Sequence, residues 1–121
     1  MALLDDLLAR MRAAPGLSDV EVVENEAVDD YTFVFKVRAA IIPNVLQIRF
    51  LADKNLERYS FQLYGDRPLL RWDNAPHYPG LPNFTHHFND QDEKVSFSTL
   101  TGNLLNNFDL VIAEVKKFMN L

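Results

Sequence analysis

Tyr31–Phe50 reads YTFVFKVRAAIIPNVLQIRF. In its first half, Tyr31, Phe33, Phe35, Val37 and Ala39 alternate with Thr32, Val34, Lys36 and Arg38. Successive side chains of an extended strand point to opposite faces, so this pattern predicts a half-buried strand with one apolar face and one wet one. After a turn signal at Pro43-Asn44, Leu46, Ile48 and Phe50 alternate with Gln47 and Arg49. Two such runs joined by a short turn are antiparallel neighbours.

The same period extends outward in both directions. Upstream, Val20 and Val22 alternate with Glu21 before a turn at Asp29-Asp30. Downstream, Asp53-Lys54-Asn55 turns the chain into Tyr59, Phe61 and Leu63, alternating with Arg58, Ser60 and Gln62. Gly65-Asp66 is a further hairpin signal, and Leu69 to Trp72 makes a short last strand. Val95 and Phe97 suggest a brief edge strand beyond it. At the two ends the period changes to that of a helix. Leu3, Leu4, Leu7, Leu8 and Met11 form one stripe over Ala2 to Ala14, stopped by Pro15-Gly16. Leu100, Leu104, Phe108, Val111, Ile112, Val115, Phe118 and Met119 form another. The expectation is a single α+β domain over residues 1–121: a five-stranded antiparallel meander covered on one face by both terminal helices.

Composition narrows the function classes. The 121 residues suffice for one core, and 48% hydrophobic with 24% charged residues is ordinary for a globular chain. The absence of cysteine removes disulfides and thiolate chemistry and fits a reducing cytoplasm. Asp5 and Asp6 with no basic leader argue against a signal peptide, and no apolar run is long enough for a membrane helix, so no membrane association is expected. The net charge of −5 opposes non-specific nucleic-acid binding, although a local basic face remains open. Lys36, Arg38, Arg49 and Arg58 are expected on the face opposite the helices, with Tyr64 nearby.

The stretch from Asp73 to Asp92 departs from the scaffold. Pro76, Pro79, Gly80 and Pro82 predict a long loop, and such loops in small domains are usually functional or disordered. All three histidines, His77, His86 and His87, fall in it, with Arg71, Asp73 and Asn74 at its start. Histidine gives and takes protons near neutrality, and with an arginine and a carboxylate it suits acid–base chemistry on a phosphodiester. Arg71 would bind phosphate, His77 and one of His86 or His87 would act as acid and base, and Asp73 would orient a histidine. A metal held by Asp73, His77, His86 and His87 is an alternative, although adjacent residues of an extended segment face opposite ways. No cofactor is expected. Asp73 also reads as a plain turn former, and Trp72 and Tyr78 as core.

Arg71-Trp72-Asp73-Asn74-Ala75-Pro76-His77, followed by Pro79, Leu81-Pro82, Phe84 and His86-His87, resembles the TumE-like proteins of prokaryotic toxin–antitoxin modules. Tyr78 and Thr85 stand where that family commonly has a histidine and a proline, departures that bear mainly on a metal site. The resemblance implies a small toxin with an antitoxin protein as partner, and action on RNA is the use expected of the histidine cluster. The alternatives are a non-catalytic module whose histidine-rich loop docks a protein and, more weakly, a metal-dependent hydrolase.

Overall fold

The computed structural model describes residues 2–121. Helix α1 (Ala2–Ala13) leads into seven strands in chain order, and helix α2 (Leu104–Phe118) closes the chain. The strands are β1 (Ser18–Ala27), β2 (Phe33–Ile41), β3 (Asn44–Ala52), β4 (Glu57–Tyr64), β5 (Pro68–Asp73), β6 (His87–Asn89) and β7 (Val95–Phe97). They form one antiparallel sheet in the order β1 to β7, so every strand pairs with its neighbour in sequence. The turns are made by the residue types that favour them. Asp29, Asp53 and Asp90 each accept hydrogen bonds from backbone amides ahead of them, fixing three of the corners.

The alternation in the sequence becomes the two faces of the sheet. Phe35 and Val37 of β2, Ile48 and Phe50 of β3, Phe61 and Leu63 of β4, and Trp72 of β5 are buried in one core. Leu4, Leu7, Leu8 and Met11 of α1 join that core, as do Leu104, Phe108, Val111 and Val115 of α2. Both helices therefore cover the same face, and an Arg10–Asp109 ion pair links them. Helix α2 starts four residues later than the apolar stripe suggests. Asn103 caps it by accepting from the Asn106 amide, while Leu100 is buried ahead of the helix.

The sheet has seven strands where the alternation predicts five. The two additions are β7, at the edge where Val95 and Phe97 suggested it, and β6, inside the span read as loop. The prolines that exclude a strand end at Pro82. His87–Asn89 is therefore free to pair with Arg71–Asp73, and Phe88 packs against Trp72 at 5.0 Å between ring centroids. The irregular segment shrinks to residues 74–86, a loop that leaves the sheet at Asp73 and returns beside it at His87.

Burial sets the energetics of the central strands. Phe35→Ala and Phe50→Ala should each destabilise the fold by about 3–5 kcal/mol, the usual outcome of emptying a large core position. Lys36→Ala, on the opposite face, should change stability by about 0.5 kcal/mol or less. Denaturant melts that ranked Lys36→Ala above Phe35→Ala would show the strand to be inverted.

Candidate functional site

Cross-strand partners share a face, so the ladder defines what lies on the side away from the helices. One row runs Glu24, Lys36, Arg49, Ser60, Asp73, His87 and Phe97, one residue from each strand. The next row runs Glu21, Arg38, Gln47, Gln62, Arg71, Asn89 and Val95. Arg58 stands in a third row opposite Leu51. The four cations expected on this face are there, joined by Arg71. Arg38 donates to Gln47 at 2.8 Å, and Lys36 lies 3.9 Å from Glu24.

Three of the five candidate residues meet at the end of this face. Asp73 is buried and its carboxylate is shared. Arg71 Nε donates to Oδ2 at 2.8 Å, the Ala75 amide donates to Oδ1 at 3.0 Å, and His87 Nε2 stands 3.0 Å from Oδ1. The other ring nitrogen of His87, Nδ1, lies 3.2 Å from the Thr85 carbonyl. A carbonyl only accepts, so Nδ1 carries a hydrogen, and Nε2 faces a second acceptor. His87 is 3% exposed, with the Tyr78 ring edge-on to it at 4.8 Å. Tyr78 is itself 38% exposed, so it covers the site rather than filling the core. His77 is exposed and stands beside this network, its ring centroid 6.5 Å from that of His87.

His86 points elsewhere. Its Nδ1 is 2.7 Å from the Tyr59 hydroxyl, and Tyr59 belongs to the core face. Burial, and then the charge of His87, lower the His86 pKa below its ordinary 6.5. Burial, and then the charge of Asp73, raise that of Tyr59 well above a phenol's usual range. Both shifts favour a neutral pair joined by one hydrogen bond. The tetrad Asp73, His77, His86 and His87 thus does not assemble around a metal, because the pleat sends neighbouring histidines to opposite sides. Among the described residues no group of three or more His, Cys, Asp or Glu is arranged to hold an ion.

Two asparagines hold the loop that carries these groups. Asn74 Oδ1 accepts from the Tyr59 amide at 2.9 Å and its Nδ2 donates to the Glu57 carbonyl at 3.0 Å. Its side chain so extends the β4 ladder beyond Asp73. Asn83, at φ 59°, donates to the carbonyls of Ser98 and Leu100. Asparagine tolerates that left-handed backbone better than most residues. Sequence reasoning missed Tyr59 as a site neighbour; a tyrosine among core phenylalanines was the signal, since a buried hydroxyl requires a partner.

Asp73→Ala should destabilise the fold by about 1–3 kcal/mol, because it leaves the buried His87 Nε2 and the Ala75 amide without their acceptor. His77→Ala, at an exposed position, should stay within about 0.5 kcal/mol. The lowered pKa of His86 gives a pH dependence of known sign. The unfolded chain binds the extra proton first, so this contribution is complete above about pH 6.5 and is lost as pH falls through the folded value. His86→Gln should flatten that part of the stability–pH curve, measured by melts of both proteins at each pH.

Among the described residues no helix is long and apolar enough to cross a membrane. No curated protein and no solved structure matches the chain. A family model described as Toxin TumE matches residues 4–119, from the first helix to the end of the second. The chain belongs to the TumE family of toxins from toxin–antitoxin modules.

Proposed function

We propose that this toxin acts on RNA, gathering the strand on the open face of its sheet and carrying out acid–base chemistry at the Asp73 end. The observation that carries this reading is the set of cations on that face. Lys36, Arg38, Arg49, Arg58 and Arg71 come from four adjacent strands. Neighbouring strands are about 4.8 Å apart, so these side chains reach successive phosphates of an extended chain.

The acidity of the chain does not oppose this. Ser18–Asp30 holds six carboxylates (Asp19, Glu21, Glu24, Glu26, Asp29 and Asp30) and no lysine or arginine. Those six of 17 acids leave 11 against 12 Lys and Arg, so the remainder of the chain carries +1. The excess negative charge sits on and beside the edge strand β1, away from Arg71 and His77.

At the reactive end each group has a part that its surroundings suit. Arg71 is oriented through Nε by Asp73, which leaves its terminal nitrogens for a phosphate oxygen. His77, exposed beside the network, gives and takes the proton. His87 is buried with both nitrogens facing acceptors, so it positions Asp73 and the loop. The toxin's partner protein is its antitoxin.

Labelled single-stranded RNA tests this. Lys36→Ala with Arg49→Ala should lower the slope of log affinity against log salt by about 1.4, the loss of two phosphate contacts. His77→Ala should abolish strand cleavage, and growth arrest on induction, while leaving the melting temperature and RNA affinity near those of the parent. Cleavage retained by His77→Ala would remove the acid–base role. An unchanged salt slope would remove the face.

A further inference from the structure

The open face has a notch beside Arg71. β6 pairs with β5 only at Arg71, Trp72 and Asp73, and the chain turns away after Asn89, whereas β5 begins at Pro68. The edge of β5 from Pro68 to Leu70 therefore has no strand beside it on the β6 side. Its backbone borders a recess of about 560 Å³, closed across by the β6–β7 turn. That volume is in the range of small-ligand sites.

The lining is specific in kind. Gln62, Arg71 and Asn89 stand side by side in one row and all face the recess. Some nearby polar groups are engaged: Gln47 with Arg38, Arg71 Nε with Asp73, and Asp90 with the amides of its own turn, whereas Arg67 and Gln91, which also line the recess, have no side-chain hydrogen bond among the described residues. The side-chain amides of Gln62 and Asn89 are not so engaged among the described residues. Leu69, half-buried on the open face, supplies apolar surface, and Asp92 and Glu93 stand on the rim.

We propose that this notch receives one nucleobase of the RNA strand, that Gln62 and Asn89 read its edge, and that the base preferred is adenine. This rests on the RNA reading above. A nucleotide matches the lining in both its parts: its phosphate meets Arg71, which is shared between face and notch, and its planar ring meets Leu69. Side-chain amides pair with adenine through donor and acceptor together. Carboxylates on the rim favour an exocyclic amine over the carbonyl that uracil presents at the same position. An uncovered strand edge adds backbone donors and acceptors within reach.

The experiment compares hexanucleotides of adenine and of uracil by fluorescence anisotropy at fixed salt. The parent should bind the adenine strand about tenfold more tightly, the scale of one amide–base contact. Gln62→Ala with Asn89→Ala should bring that ratio close to one. Asn89→Ala alone, which should reduce the ratio severalfold, supplies the same readout if the double variant melts early. Binding of both strands with equal affinity by the parent, or a ratio unchanged in the variants, overturns the notch and leaves the RNA reading in place. Failure of the parent to bind either strand overturns both.

Discussion

A slip of one residue in the pairing of β2 to β5 would turn Phe35, Phe50, Phe61 and Trp72 to water and bury Lys36, Arg49 and Arg71. Nothing else in the molecule is as constrained. β2 and β3 pair without a break from Phe33↔Ala52 to Ile41↔Asn44, and β3 and β4 from Val45↔Tyr64 to Ala52↔Glu57. The apolar face fixes this register because both helices need it. The polar face inherits the same register at no separate expense in stability. Rows of cations that reach from β2 to β5 are thus a by-product of core packing, which explains how exposed side chains from four strands come to be aligned.

Asp73 is where scaffold and candidate site are hardest to separate. Its carboxylate accepts the Ala75 amide, as a turn former would, and also holds Arg71 and His87. A buried ion pair contributes little net stability when compared with well-packed apolar groups, because desolvation offsets attraction. Its effect here is geometric. The Asp73–His87 contact closes the mouth of the loop over residues 74–86 at the point where β5 and β6 meet. Asn74 and Asn83 secure the two sides of the same loop through backbone groups of β4 and of the segment before α2. Prolines within the loop reduce the entropy that ordering it must overcome. The result is a loop without regular structure whose polar groups are nonetheless held in place.

The scaffold was legible because its signals are local and repeated. Four strands with one covered face each repeat the same period, and each helix shows its own stripe. β6 was hidden for the opposite reason: three residues with a single aromatic, Phe88, carry no period, and the prolines upstream pointed to loop. The site was legible in composition but not in arrangement. Arg71, Asp73 and the histidines stand out as residue types unneeded by a scaffold. That Asp73 selects His87, and that Tyr59 takes His86, are contacts between positions distant in the chain, which periodicity does not encode. Tyr78, expected in the core, covers His87 because the loop, and not the sheet, determines its place.

The adjacent pair His86-His87 illustrates what the pleat does to a motif. As a string, two histidines suggest one function performed jointly. In the fold they occupy opposite sides of the sheet margin and different electrostatic surroundings. His87 lies between a carboxylate and a carbonyl; His86 lies against a buried phenol, and burial, then the charge of His87, oppose its protonation. Moving Asp73's charge would be felt at Tyr59, whose phenol is held neutral by burial and, in part, by that same carboxylate. One buried charge on the open face thus influences the protonation of a phenol on the core face. This coupling follows from the thinness of a single sheet layer and needs no movement of the backbone.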